Sequence, residues 1–241
     1  MQIPLWQSRS RDVIGEDGLR LLAGARVALL GLGGVGGSCA EALCRAGVGT
    51  LLLCDSDEVE ETNLNRQTVA ARSALGEKKT SVMARRLSDI NPDIVLRLEE
   101  RFYLPEESGF LYDFSPDLVL DAIDTVTAKI HLAAECTRRG IPLVSCLGTG
   151  NRLHPELLRA GDLSETSGCP LARVLRRELR RRGISHLRVV YSTEAPVSVC
   201  APDAASAGRH PPGSSPFVPP AAGCLLAAEG VRLLLTEKTH T

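Results

Sequence analysis

A chain of 241 residues with 44% hydrophobic and 24% charged residues is ordinary for a soluble globular protein and long enough for one large α/β domain. Its formal net charge of −1 excludes a molecule-wide pull toward nucleic acid, so any such pull has to be local. No run of 18 apolar residues and no leader-like N-terminus is found, so no membrane span is expected and a cytoplasmic location is.

Glu16 to Leu22 reads as a short helix leading into a first strand, Arg26 to Leu30. That strand runs into Gly31, Gly33, Gly34 and Gly36, and a helix follows over Val35 to Ala46, ended by Gly47. Such a turn cradles phosphate at a helix N-terminus. Gly31 permits the tight turn, Gly33 lets backbone N–H groups reach a phosphate, and Gly36 lets the helix pack close to the strand. The second strand, Thr50 to Cys54, ends in Asp55, where a carboxylate takes a ribose hydroxyl. Alone, these features suit NAD. The next turn does not: Asn63, Asn65, Arg66 and Gln67 pack polar side chains together, and Arg66 with the following Lys79 supplies cations that a triphosphate needs and a dinucleotide does not.

Lys78 to Ile90 is an amphipathic helix stopped at Asn91-Pro92, and Ile94 to Leu98 is a strand. Asp117 to Leu120 is a buried-type strand that ends in Asp121-Ala-Ile-Asp124. Carboxylates at a strand's carboxyl end suit Mg²⁺, which binds one or two carboxylates plus phosphate oxygens. Capping a turn is the plainer reading of Asp121. Thr127 to Arg139 is a helix capped by Gly140, and Ile141 to Leu147 is another buried strand. This alternation predicts an α/β, Rossmann-like, doubly wound, mainly parallel sheet with helices on both faces.

After Gly150 the pattern becomes a C-terminal α+β extension. Asp162 to Pro170 reads as loop, Leu171 to Arg182 as a helix, Leu187 to Tyr191 as a strand. Pro196 to Pro220 reads as a mobile loop and Ala221 to Leu235 as an apolar helix. The basic helix and its surroundings carry Arg173, Arg176, Arg177, Arg180, Arg181, Arg182 and Arg188, with only Glu178 to offset them. That concentration fits a phosphate backbone, the bland alternative being a solvated helix face. With 3% aromatic residues, shape and backbone contacts are favoured over base stacking.

None of the eight cysteines forms a Cys-x-x-Cys pair, so neither a structural zinc site nor disulfides are expected. Cys54, Cys146 and Cys224 lie in apolar stretches and read as small core residues. Cys169 and Cys200 sit in more polar surroundings and are the candidate reactive thiols.

Gly-Leu-Gly-Gly-Val-Gly, Asp55-x-Asp57, Asn63-Leu-Asn-Arg-Gln67, Lys79 and Asp121-Ala-Ile-Asp124 together resemble the ThiF/MoeB/HesA superfamily of ubiquitin-activating-enzyme-like adenylyltransferases. The resemblance covers residues 9 to about 150. Further on, Gly148 to Pro155, Thr166 to Val174, Val189 to Pro196 and Gly213 to Pro219 resemble the branch that dehydrates threonylcarbamoyladenosine in tRNA. It implies one ThiF-type domain over 1–241: an N-terminal helical segment (1–24), an ATP-binding core (25–150) and a C-terminal extension (151–241). It places Gly31, Gly33 and Gly34 at the phosphates and Asp55 at the ribose. Asn63, Arg66, Gln67 and Lys79 surround the triphosphate, and Asp124 holds Mg²⁺. Gly36, Asp57, Asn65 and Asp121 belong to the same nucleotide-binding set. The resemblance also implies a homodimer whose partner contributes an arginine, Arg9 by its distance from Gly15 or else Arg11. ATP and Mg²⁺ are the implied cofactors, without zinc, and tRNA the implied substrate, with a sulfurtransferase-type auxiliary protein left open as a partner. Activation of a ubiquitin-like or sulfur-carrier protein is the alternative, and a plain nucleotide- or NAD-binding module a third.

Overall fold

The computed structural model describes residues 3–197 and 212–237. Cys200 and most of the loop expected over 196–220 lie outside them. In chain order the elements are α1 (Ser8–Gly24), β1 (Arg26–Leu30), α2 (Gly34–Ala46), β2 (Thr50–Cys54), α3 (Lys79–Ile90), β3 (Val95–Glu99), α4 (Gly109–Asp113), β4 (Leu118–Asp121), α5 (Val126–Arg139), β5 (Leu143–Cys146), β6 (Leu158–Asp162), α6 (Pro170–Arg180), β7 (Arg188–Ser192) and α7 (Val218–Glu237).

The strands form one seven-stranded sheet in the order β3-β2-β1-β4-β5-β7-β6. Every neighbouring pair is parallel except β6 and β7. β1, β2 and β4 are continuous apolar runs because helices cover them on both sides. Alternate side chains enter opposite cores. Leu29, Leu51 and Leu53 join α1, α2, α3 and α7 on one face. Leu30, Leu52 and Val119 join α4, α5 and α6 on the other.

The doubly wound parallel sheet is as expected; α4 lies in a stretch not assigned to any element, α7 begins at Val218 rather than Ala221, and three further elements differ from their sequence reading. α1 begins at Ser8 rather than Glu16, because the chain stays helical across a kink at Gly15 (φ 75°), a conformation glycine adopts without strain. β6 lies in a stretch not assigned to any element, and it pairs antiparallel to β7 with Leu158 opposite Ser192. α6 starts at Pro170, whose missing N–H costs nothing in a first turn.

α7 is long and apolar enough, by length and composition, to cross a membrane, with a mean hydropathy of 1.4 over residues 218–236. Half of that stretch is buried inside this fold. A Cβ on Gly223 would stand 2.1 Å from the Val35 carbonyl oxygen, so α7 reaches α2 backbone to side chain-free backbone. The buried Glu229 binds Arg188 of β7 at 2.7 Å and Arg232 one turn on. α7 is therefore a core helix of the sheet's first face.

Candidate nucleotide site and basic helix

A cavity of about 370 Å³ opens at the carboxyl ends of β1, β2 and β4. It lies where the chain reverses its direction of winding between β1 and β4, the crevice where open α/β sheets bind ligands. Its floor is the turn between β1 and α2. Gly31 has φ 90°, and a Cβ there would stand 2.7 Å from the Ala122 carbonyl oxygen, so only glycine fits. Gly33 and Gly34 line the cavity at the N-terminus of α2. Gly36, grouped with them in sequence, does not line it. A Cβ there would sit 1.8 Å from the Gly31 carbonyl oxygen, so Gly36 lets the helix close on the turn after β1, behind the cavity.

Asp55 fastens this turn to the end of β2. Its carboxylate accepts the Leu32 N–H at 2.6 Å and the Asp57 N–H at 2.9 Å. Burial raises its pKa above the ordinary carboxylate value, and those two N–H groups pull the other way. Each carboxylate oxygen keeps a second lone pair for a ligand hydroxyl. Lys79 opens α3 with only 4% of its surface exposed, and its Nζ meets Asp57 Oδ2 at 2.8 Å. A buried ammonium needs such a partner, and Asp57 provides it in the cavity wall.

The turn from Glu60 to Gln67 brings three more side chains to the cavity. Asn63 is buried and its Oδ1 accepts the Glu60 N–H at 3.2 Å, while its carbonyl accepts the N–H groups of Arg66 and Gln67. Arg66 Nη1 donates to the Thr62 carbonyl (3.0 Å) and Asn65 Oδ1 (2.8 Å), and no carboxylate pairs with it among the described residues. Gln67 Oε1 is buried without a hydrogen-bond partner. An unpaired guanidinium and an orphaned acceptor on one cavity leave groups for a ligand to satisfy. Asn65 does not line the cavity. Its Nδ2 donates to the Ser214 carbonyl at 2.9 Å and so fastens residues 212–217 over the site.

The two acids after β4 part company. Asp124 is exposed, lines the cavity and, among the described residues, accepts only the Thr125 hydroxyl at 3.3 Å. Asp121 is fully buried and absent from the cavity wall. It pairs with Lys129 Nζ at 2.9 Å and accepts Ser145 Oγ at 2.5 Å and the Ile123 N–H at 3.0 Å. Strand geometry turns its side chain into the core, so Asp121 braces the turn that presents Asp124. Among the described residues no three His, Cys, Asp or Glu converge as a metal site. Asp124 offers one exposed carboxylate, the donor set of an ion held mostly by phosphate oxygens.

The loop after β3 adds Arg101, Phe102 and Tyr103 to the cavity wall, and Thr149, Ser214 and Pro219 complete it. Phe102 is 67% exposed, an apolar surface on the same cavity as Asp55. Nothing in the sequence marked these residues except their position after a strand that neighbours β2. Arg9 lies exposed on the first turn of α1 and does not line its own chain's cavity, and Arg11 pairs with Asp12 at 3.7 Å.

The basic helix divides. Arg176 Nη1 donates to the carbonyls of Leu163 (3.2 Å) and Thr166 (2.7 Å) and to the Thr166 hydroxyl, so it ties α6 to the preceding loop. Arg188 is committed to Glu229. Arg177, Arg181 and Arg182 share Glu178, which they hold below the ordinary glutamate pKa. Arg173 and Arg180 are exposed and form no ion pair among the described residues. Six of the seven are exposed, and with Arg188 set aside for its pair with Glu229 the patch on α6 and the turn after it is five arginines with one acid among them.

Two cysteines differ from expectation. Cys169 is 5% exposed and packs in the second core, which removes it from attack. Cys224 is exposed on the outer face of α7 rather than in the core.

The model of the ThiF family matches residues 7–241 of the chain. The tRNA threonylcarbamoyladenosine dehydratase of Bacillus subtilis (strain 168) is 39% identical over 240 residues, which are 95% of this chain and 94% of that protein. That of Escherichia coli (strain K12) is 37% identical over 84% of this chain and 82% of its own. The crystal structure of the E. coli tRNA N6-threonylcarbamoyladenosine dehydratase TcdA in complex with ATP superposes with a TM-score of 0.89 at 32% identity, covering 100% of both chains.

Proposed function

The chain belongs to the ThiF family, and from that premise we propose that it is an ATP-dependent tRNA threonylcarbamoyladenosine dehydratase. The observation that carries the reading is the cavity itself. A glycine cradle, the ribose-binding position of Asp55, the unpaired Arg66, the buried Lys79 and the orphaned Gln67 acceptor converge on it. Relatives that carry this activity match along nearly the whole chain, the C-terminal extension included.

ATP lies with its phosphates on Gly31, Gly33 and Gly34 and its ribose at Asp55. The threonyl carboxylate of the modified nucleoside attacks the α-phosphorus, and the bond to the pyrophosphate oxygen breaks. The product is an acyl-adenylate plus pyrophosphate. An internal nitrogen or oxygen of the same side chain then attacks the acyl carbon, closes a ring and expels AMP with one carboxylate oxygen. The net loss from the nucleoside is one water. Negative charge grows on the phosphate oxygens, so the chemistry asks for fixed cations at that point, and Arg66 and Lys79 supply them. The ring closes on a nucleophile within the substrate, so no catalytic cysteine is required.

Mg²⁺ would be held by Asp124 and phosphate oxygens, where it neutralises charge on the triphosphate. We also infer a homodimer in which Arg9, exposed and outside its own cavity, reaches the partner's site. Arg173, Arg177, Arg180, Arg181 and Arg182 offer the tRNA backbone a cationic surface. A cytoplasmic location goes with a tRNA substrate, and a sulfurtransferase-type auxiliary protein is compatible with this reading.

The test is release of AMP and pyrophosphate by the purified protein with ATP and Mg²⁺. The reading expects release only when tRNA carrying threonylcarbamoyladenosine is added. Release that instead requires a small protein ending in Gly-Gly would move the chain to the carrier-activating branch.

A further inference from the structure

Three buried side-chain polar atoms lack a hydrogen-bond partner among the described residues. One is Gln67 Oε1, in the nucleotide cavity. The other two, Asn151 Oδ1 and Arg152 Nε, sit on successive residues of the turn after β5. Arg152 is only 4% exposed, yet no carboxylate lies within ion-pair distance of it among the described residues. Its Nη1 donates to the Gly148 carbonyl at 2.7 Å. Glu194 feels its charge at longer range, but that carboxylate is taken by the N–H groups of Leu153 (2.9 Å) and His154 (3.0 Å).

A guanidinium cannot shed its proton to escape burial. A charge left unpaired inside a protein is costly, so it calls for a counter-charge. With Nη1 occupied, the edge that meets no partner among the described residues is Nε with Nη2, the side-on fork that takes a carboxylate through two parallel hydrogen bonds. Asn151 is one of two non-glycine residues with positive φ among those described (φ 56°). Its N–H donates to the Gly213 carbonyl and its carbonyl accepts from Val197, both at 2.7 Å. The backbone is thus pinned in a conformation that leaves the side-chain oxygen without a donor. Asn151 and Arg152 lie just behind the cavity wall and do not line it themselves. Thr149, three residues before Arg152, lines the cavity, and so does Ser214, between Gly213 and Ser215, which hold Asn151 and Arg152.

We propose that Arg152 and Asn151 form the acyl-side subsite, with Arg152 taking the threonyl carboxylate of the modified nucleoside and Asn151 Oδ1 accepting its carbamoyl N–H. The inference rests on the dehydratase reading and adds to it the residues that recognise the reacting group. Both carboxylate oxygens meet the fork, and each keeps a second lone pair, one of which is presented to ATP.

The test compares the affinity of the full-length protein for tRNA with and without threonylcarbamoyladenosine, and for the modified tRNA as its methyl ester. Wild type should prefer the free carboxylate over both other forms. Arg152→Gln should reduce that preference about 10- to 100-fold, the worth of a charged hydrogen bond, while leaving ATP affinity unchanged. If that variant does not fold, Arg152→Lys carries the test, because an ammonium keeps the charge and loses the fork. It should lose about threefold or more of the preference. An unchanged preference in whichever variant folds, with wild type converting the modified tRNA, overturns the subsite and leaves the function standing. A wild type that neither converts nor prefers the modified tRNA overturns both.

Discussion

Replacing Lys129 with methionine should destabilise the protein severely although Lys129 does not line the nucleotide cavity. The ammonium is 2% exposed and donates to Asp121 Oδ2 (2.9 Å), Ser145 Oγ (3.3 Å) and the Cys146 carbonyl (2.7 Å). Methionine keeps most of the length and the apolar stem, so the loss is electrostatic. It strands a fully buried carboxylate between β4 and β5 with only Ser145 Oγ and the Ile123 N–H as donors. Breaking a buried pair in this way costs about 3–5 kcal/mol. For a chain of this size that is a fall in melting temperature of roughly 6–20 °C. Thermal melting followed by circular dichroism measures it, with urea unfolding as a check on the free energy. Asp121→Asn combined with Lys129→Met removes the stranded charge and should recover a large part of the loss. A single variant within about 1 kcal/mol of wild type would refute the reasoning, because Asp121 would then have to be neutral or hydrated in the native state.

The other expectations can be checked with routine variants. Arg173→Ala with Arg180→Ala should weaken tRNA binding and lower the slope of log affinity against log salt by about one per arginine that meets a phosphate. Arg176→Ala should instead lower the melting temperature, because that side chain is spent on Leu163 and Thr166. Gly36→Ala should abolish ATP binding, measured by calorimetry, because its Cβ would stand 1.8 Å from the Gly31 carbonyl oxygen. Burial pushes the Cys54, Cys136 and Cys146 thiols up to about 12, so they stay protonated at neutral pH. A maleimide on the native protein should therefore label Cys224 well before them, as peptide mass mapping would show.

The sheet and the nucleotide cradle were legible because each rests on a local rule. Apolar runs such as Val27 to Leu30 and Leu51 to Cys54 can only be strands covered on both faces, and Gly47 and Gly140 end their helices in the left-handed region glycine favours. β6 was not legible, because Leu158-Arg-Ala-Gly-Asp162 has neither alternation nor β-branched residues. It is a strand by virtue of β7 alongside it. The first half of α1 was hidden by Gly15 and a run of charges. Asp121 and Asp124 look alike in sequence, and what separates them is strand geometry plus a lysine eight residues away. Charge counts likewise show seven arginines but not that Arg176 and Arg188 are already partnered. The cavity residues Arg101 to Tyr103 carry no motif, since their place depends only on β3 lying beside β2.

The most direct test of the central claim is the mass of the modified nucleoside after incubation of threonylcarbamoyladenosine-bearing tRNA with ATP, Mg²⁺ and either wild type or Lys79→Ala. The account predicts a nucleoside lighter by one water with wild type, with one AMP formed for each, and neither product with Lys79→Ala, although that variant still binds tRNA. A nucleoside of unchanged mass with active wild-type protein, or full conversion by Lys79→Ala, would contradict it.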